Sequence, residues 1–582
     1  MFIEKENWHP FDGINLEENA LQTVKCEKNV LVEAGPGAGK TELLAQKANY
    51  ICTTGLLKRN KKILAISFKK DSAANLEERF SMRTAGYDNS FISLTYDSFF
   101  KSIYDQFMHG MSDEYVFPNY EIDNKYEVTE NVINELYGPL RRSDLKRLLN
   151  AYEKNKENAI SEYDDYGMEI FTKKVKKFPV LTFSEIGSIV YELLIKNPMI
   201  LRAIQCSFQF VFLDEFQDTT IMQYKIVKLL FQDSDTVLTA VGDSNQRIML
   251  WAGADSHVFN KFENDFHAVR FSLMMNHRSV PLLIEFQKDV YSTLLEGKEV
   301  KSGLDEEKGD LALFEFNDES SEINKVLSIV DDIIKSGHKS RDICIIVKQQ
   351  PENYCSSLIN EAHKRNIGMR IETDYQDLLK ENLTNLVFSM MKLMFTTGCT
   401  KDWLEVCSFY NKVSKEIDYN SFDNSVKVIR DEYKNDKSIK NLVLKIIDLL
   451  GKDALRKVFP EYTRTSYMKT VCDNLIQKFE KDFKDDLLTT IKVIEGEFSI
   501  PVMTIHKSKG LEYNTVIFWG LDDQAFWSYK NQPMEDRCAF FVALSRAKEN
   551  LYFTFNTIRL GENRTHNDIN EMYNLLLNYR RD

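Results

Sequence analysis

Short runs of consecutive large apolar residues recur along the chain, separated by longer stretches in which apolar residues return every three or four positions. The first pattern predicts strands buried on both faces and the second amphipathic helices. NVLVEA (29–34), KILAISF (62–68), FISLT (91–95), FVFLDE (210–215) and TVLTAVG (236–242) read as five such strands. Their alternation with helical periods predicts one parallel α/β sheet. A second series follows after Asn276: LALFEF (311–316), ICIIVK (343–348), MRIET (369–373), VMTIH (502–506), TVIFWG (515–520) and LYFTF (551–555). Each series is interrupted by a charged, helix-periodic segment.

The expected organisation is therefore α/β, with two parallel-sheet cores that each carry a mainly helical insertion. Residues 1–100 and 203–275 form the first core and 101–202 its insertion; 276–395 and 501–582 form the second core and 396–500 its short insertion. The first insertion holds two basic clusters, RRSDLKR (141–147) and KKVKK (173–177). A solvated helical face explains them, and so does a nucleic-acid contact.

Charge narrows the partners. With 75 basic against 88 acidic residues the net charge is −13, which excludes a general nucleic-acid coat and leaves room for a local basic channel. No apolar run reaches the ~18 residues a membrane span needs, so no membrane partner is expected. The start, MFIEKENWHP, lacks a secretory apolar core. Nine scattered cysteines without a CxxC predict free thiols in a reducing cytoplasm.

The chemistry concentrates at two strand ends. AGPGAGKT (Ala34, Gly35, Pro36, Gly37, Ala38, Gly39, Lys40, Thr41) fits a phosphate-binding loop between a strand and a helix. The glycines let backbone N–H groups curve around phosphate oxygens. Lys40 is expected at the β/γ-phosphates and Thr41 at Mg²⁺, with Glu42 next in line. FLDEFQD (212–218) puts carboxylates at the end of a buried strand, where they are costly unless they bind something. Asp214 is the second expected Mg²⁺ ligand, and Glu215 the base that activates water. The chain lacks an N-K-x-D guanine-reading element, which favours ATP.

These and further segments resemble, in order, the motifs of superfamily 1 helicases of the UvrD/Rep/PcrA type. They are ILAISFKKDSAANLEERF (63–80), LTYDSF (94–99), DEFQDTTIMQY (214–224), VGDSNQRIMLWAGA (241–254), MMNHRSV (274–280), MTIHKSKGLEY (503–513) and MEDRCAFFVALSRAKENL (534–551). The resemblance implies two RecA-like cores that close on ATP. It makes Arg278 and Arg546 arginine fingers and Gln246 the γ-phosphate sensor. His277 stands where the family stacks a tyrosine on adenine, and Glu512 joins the nucleotide set. Asn19 matches the adenine-reading glutamine best by spacing, with Gln22 as the alternative. Ser67, Phe68, Lys69, Thr95, Tyr96, Trp251 and His506 take the positions that line single-stranded DNA; Met249 and Ala252 depart from the family pattern beside Trp251.

The implied activity is ATP-dependent 3′ to 5′ translocation on single-stranded or tailed duplex DNA, in repair or in antiviral defence. A contrasting expectation is a regulatory ATPase or translocase that licenses a separate nuclease subunit and unwinds little itself. The short second insertion motivates it.

Overall fold

The computed structural model describes residues 2–581 except 85, 124–125, 178, 251–252, 296–299, 305–307, 414–417, 464 and 485. The chain divides into two compact units. The first comprises Met1–Leu311, Phe526–Asn550 and Asp568–Asn578, and the second Ala312–Ala525, Leu551–Asn567 and Tyr579–Asp582.

The first unit is built on a six-stranded sheet. Its strands are β1 (Val30–Ala34), β2 (Lys62–Ser67), β3 (Phe91–Thr95), β4 (Phe208–Leu213), β5 (Val237–Gly242) and β6 (Val269–Leu273). They lie in the order β3-β2-β4-β5-β1-β6, every pair parallel. Five of these strands match the apolar runs. The sixth, VRFSL, escapes the pattern because it is an edge strand whose first four residues keep some exposure.

Along β1 the side chains alternate between faces, as strand geometry requires. Val30 and Val32 enter one apolar cluster with Leu43, Leu44, Phe210 and Phe212. Leu31 enters the other, together with Leu64, Val211 and residues of the helical insertion such as Tyr104, Tyr152 and Ile189. Helices cover both faces, and the C-terminal strand ends are left as the crevice where such sheets bind ligands.

The insertion supplies helices Glu127–Tyr137, Arg142–Asn155, Asp165–Lys177 and Phe183–Lys196. Its two basic clusters differ. Arg141, Arg142, Lys146 and Arg147 are exposed. In KKVKK, by contrast, Lys174 is fully buried and donates to both oxygens of Glu185, at 2.5 and 2.6 Å. Lys173 and Lys177 pair with Glu135. That cluster is in part an internal ion network.

The second unit carries a seven-stranded sheet. Its strands are β7 (Asp310–Phe316), β8 (Ile343–Val347), β9 (Met369–Ile371), β10 (Ile500–Thr504), β11 (Tyr513–Phe518), β12 (Ala547–Asn556) and β13 (Arg580–Arg581), in the order β9-β10-β8-β11-β12-β7-β13. Helices from Asn382–Phe395 to Leu487–Ile494 form its insertion around a separate apolar cluster that includes Leu386, Val443, Ile446 and Leu475.

The compact units divide the chain differently from the expected core boundary at 276. Segments 276–311 and 526–550 belong to the first unit. The reason is packing: Tyr291 on helix Pro281–Leu294 meets Phe541 on helix Pro533–Leu544, ring centroids 4.5 Å apart, and Val280 N–H donates to the Lys548 carbonyl at 2.9 Å. Among the described residues no helix is long and apolar enough to cross a membrane.

Candidate nucleotide site

The site begins where β1 ends. All five β1 residues are buried. The chain leaves through Gly35–Gly39 and enters helix Lys40–Thr53. Gly37 and Gly39 both take positive φ, 71° and 76°, a region closed to most L side chains. At Gly37 a Cβ atom would also stand 2.4 Å from Asn276 Oδ1 and 2.7 Å from Arg278 Cβ. His277 N–H donates to the Gly37 carbonyl at 3.0 Å. The Asn-His-Arg-Ser segment is thus the wall on which the loop is shaped. Lys40 folds its ammonium back toward the carbonyls of Ala34 (3.3 Å) and Gly35 (3.4 Å), within the curve a phosphate would fill. Pro36 and Ala38 complete the loop, and Thr41 is the second residue of the helix.

Glu42, in the first turn of the helix, has its side chain engaged away from the loop. Its carboxylate accepts from Arg79 (3.1 Å), Arg83 (3.0 Å) and Gln46 (2.8 Å). Burial alone would raise the carboxyl, but Arg83, Gln46 and Arg79 hold it below its usual range. A carboxylate committed to these donors is a strut for the helix, and it would repel phosphate rather than bind it. Asn19 is also engaged: its amide donates to the Ser272 carbonyl at 2.8 Å, pinning helix Glu18–Lys25 to the end of β6. Gln22 is exposed and donates to Glu18 at 3.1 Å.

Beyond β4 lie Asp214 and Glu215. Asp214 is 3% exposed, and its N–H donates to the Ile66 carbonyl at 2.9 Å. Burial first, then the neighbouring Glu215, pushes its carboxyl up to about 7, while Lys40 pulls the other way. A buried carboxylate so unfavourable alone is suited to a cation. Glu215 adopts φ 48°, a left-handed conformation unusual for glutamate and of the kind that clusters at functional sites. Gln217 donates to its carboxylate.

The next strand end brings the sensor. After β5, Asp243 caps a 3₁₀ turn, Ser244–Gln246. Asp243 accepts from Asn245 N–H (3.0 Å) and from the Gln246 amide (2.7 Å), and its own N–H donates to Gln217 Oε1 at 3.0 Å. Burial raises its carboxyl. Gln246 Oε1 in turn accepts from the Arg546 guanidinium at 3.1 Å. Arg546 is 2% exposed and is steadied by the Val542 carbonyl (2.9 Å) and Ser545 Oγ (2.7 Å). Arg278 donates to the Ser545 carbonyl at 3.0 Å. Both arginines therefore lie in the same compact unit as the phosphate loop. Asp243, Gln217 and Ser545 lie within the motif segments 241–254, 214–224 and 534–551, but nothing in their local sequence marks them as partners of the sensor turn and the arginines.

The expected DNA-lining residues are placed differently from one another. Phe68 and Lys69 keep partial exposure just past β2. Ser67 is fully buried, and Thr95 caps helix Tyr96–Phe107 by accepting from Ser98 N–H at 3.1 Å, so neither hydroxyl is turned outward. Tyr96 is a correction: it is 1% exposed, its hydroxyl lies 3.1 Å from Thr219 Oγ1, and a ring inside the core offers no stacking face. Trp251 and Ala252 lie outside the described residues. In the second unit, His506 sits on the short helix Ile505–Ser508, and Glu512 is exposed just before β11.

A phosphate loop after one parallel strand, paired carboxylates after another and a sensor turn after a third define a P-loop nucleoside-triphosphatase site. Comparison with known proteins specifies the family. Residues 16–267 match the UvrD/REP helicase N-terminal domain and residues 419–557 the UvrD-like helicase C-terminal domain, together about two thirds of the chain. The chain belongs to the UvrD/Rep helicase family. It is 22% identical to a DNA helicase II homologue of Mycoplasma capricolum over 93% of this chain and 84% of that protein. It is similarly 22% identical to the ATP-dependent DNA helicase PcrA of Bacillus subtilis, over 95% and 84%. DNA helicase II of Haemophilus influenzae is 25% identical over 60% of this chain and 50% of that protein.

Proposed function

We propose that this chain is an ATP-driven motor that moves 3′ to 5′ on single-stranded DNA and separates duplex DNA ahead of it. The observation that carries the reading is the hydrogen bond from Arg546 to Gln246, 3.1 Å, beside a phosphate loop, a base and a second arginine in one unit. A fold-only role for that arginine would not call for a buried guanidinium held against a sensor glutamine at the mouth of a phosphate loop.

The chemistry follows from the residues. Lys40 leaves the loop carbonyls for the β/γ-phosphate oxygens. Glu215 takes a proton from the attacking water. Arg278 and Arg546 meet the charge that develops on the transferred phosphoryl group, which the sequence-tolerant carbonyls of the loop cannot do. Thr41 and Asp214 would hold Mg²⁺, which neutralises phosphate charge when bound. Phe68 and Lys69 offer a stacking face and a phosphate contact, with Trp251 and His506 as the further DNA contacts. His277 completes the nucleotide set beside the phosphate loop. The relatives' names, DNA helicase II and ATP-dependent DNA helicase PcrA, support the substrate class.

The test is ATP hydrolysis with and without oligo(dT), followed by displacement of a labelled strand from duplexes with 3′ or 5′ tails. Stimulated hydrolysis and displacement from the 3′-tailed duplex alone are expected. Hydrolysis indifferent to oligo(dT) would sink the motor reading. Stimulated hydrolysis with no displacement would move it to a translocase that feeds a separate nuclease.

A further inference from the structure

Glu33 is out of place in β1. A strand central to a parallel sheet is normally apolar on both faces, and a carboxylate there costs free energy unless its partners are good. Yet Glu33 is 6% exposed, one residue before Ala34 and the phosphate loop. Register places it between Gly242 of β5 and Ser272 of β6. One carboxylate oxygen accepts from Ser244 Oγ and the other from Arg270, which also pairs with Glu263 at 3.0 Å.

Ser244 is the first residue of the turn that ends in Gln246. The turn is fixed from inside by Asp243 and from outside by Arg546. Ser244 adds a third tie, to the strand that carries the loop, and its carbonyl accepts from Arg247 at 2.8 Å. Beside this tie lies a cavity of about 190 Å³, lined among others by Glu33, Gly35, Asp243, Asn245 and Tyr291. The turn thus borders open space at Asp243 and Asn245, and on the β1 side Ser244 is tied to the loop-bearing strand by its hydrogen bond to Glu33.

We propose that Glu33 is a positioning residue for ATP hydrolysis: through Ser244 it sets the distance between the phosphate loop and the Gln246 sensor turn. The proposal rests on reading the chain as an ATP-driven motor. In this reading Glu33 acts through Ser244 on Gln246 and Arg546.

The experiment compares Ser244→Ala, Ser244→Thr and wild type in steady-state ATP hydrolysis with saturating oligo(dT), alongside thermal melting. Ser244→Ala removes only the donor and leaves the strand intact. Its kcat should fall about ten- to a hundredfold at nearly unchanged KM, the signature of an interaction made in the transition state by a slightly misplaced group. Melting should be unchanged, and Ser244→Thr, which keeps a hydroxyl, should restore most of kcat. Glu33→Gln retains an acceptor for Ser244 but loses the Arg270 charge pair, and should fall between the two. Wild-type kcat in Ser244→Ala overturns the proposal. So does a loss of kcat that tracks lowered melting and is not restored by threonine, because that pattern is structural. An inactive wild type overturns the motor reading itself and this proposal with it.

Discussion

At the residue scale, the site separates groups that act on the reacting atoms from groups that hold them. Glu215 and Arg546 illustrate the first kind and make different predictions. Glu215→Gln keeps the shape and the Gln217 contact but loses the base, so ATP should still bind while kcat falls by about 10²–10⁴-fold. Arg546→Ala removes a finger whose counterparts elsewhere contribute about 10³–10⁵ to kcat. It also leaves Gln246 Oε1 without this donor. Its kcat should drop far more than its nucleotide affinity. Steady-state kinetics beside equilibrium binding of a labelled ADP checks both. Near-normal turnover in either variant would remove that residue from the reacting set.

At the element scale, the loop and the insertion each rest on one tight device. Gly37→Ala asks a Cβ to stand at φ 71° and 2.4 Å from Asn276 Oδ1. The neighbour is a short side chain that itself accepts from Arg278 and Ser279 N–H, at 2.8 and 3.1 Å, so it cannot swing away cheaply. We expect melting to fall by several degrees, the size of a one- to two-kcal/mol loss of about that order, and hydrolysis to fall with it. An alanine variant with wild-type melting and turnover would mean the loop is looser than this packing implies.

The second device is the buried Lys174–Glu185 pair in the helical insertion. Burial alone would raise the Glu185 carboxyl, but Lys174 and Lys156, with hydrogen bonds from Lys174 and Tyr152, hold it down to about 2. A depressed carboxyl contributes stability that is complete above its ordinary value near 4.5 and lost as pH falls from there toward 2. Melting should therefore drop over that window. Lys174→Met removes the direct ion-pair partner of Glu185 and leaves it only Tyr152, the Thr182 N–H and the nearby Lys156, and should cost up to about 3–5 kcal/mol at neutral pH. The variant should also lose less on acidification, since Glu185 then takes up a proton readily. Parallel melting curves for variant and wild type across the acid range would contradict this assignment.

At the scale of the whole molecule, an acidic chain must bind DNA through a restricted set of cations. Arg141 and Arg147 are exposed on the first insertion, whereas Lys174 in the other basic cluster is internal. If Arg141 and Arg147 contact phosphates, replacing both with serine should lower affinity for a tailed duplex. It should also reduce the slope of log K against log salt by roughly 1–2, about 0.9 per duplex phosphate contact. An unchanged slope would make that face merely solvated. Fluorescence anisotropy at several salt concentrations gives the slope directly.

What the sequence by itself determined was whatever depends on local order along the chain. The apolar runs gave five strands of the first sheet, because a buried parallel strand must be continuously apolar whatever it packs against. The phosphate loop was legible because glycine spacing and a following helix are local requirements. Glu33 was visible as the one acid in VLVEA, but its partners, Ser244 and Arg270, are more than two hundred residues away. Only the tertiary structure could decide which polar groups face inward: Tyr96 became core, Glu42 became a strut and Lys174 became half of a buried pair. It also decided that Arg278 and Arg546, 268 positions apart, lie beside Ser545 in one unit with the phosphate loop. Periodicity records that a side chain is apolar or polar, not which distant group satisfies it. That choice is made when strands from remote parts of the chain align their C-terminal ends.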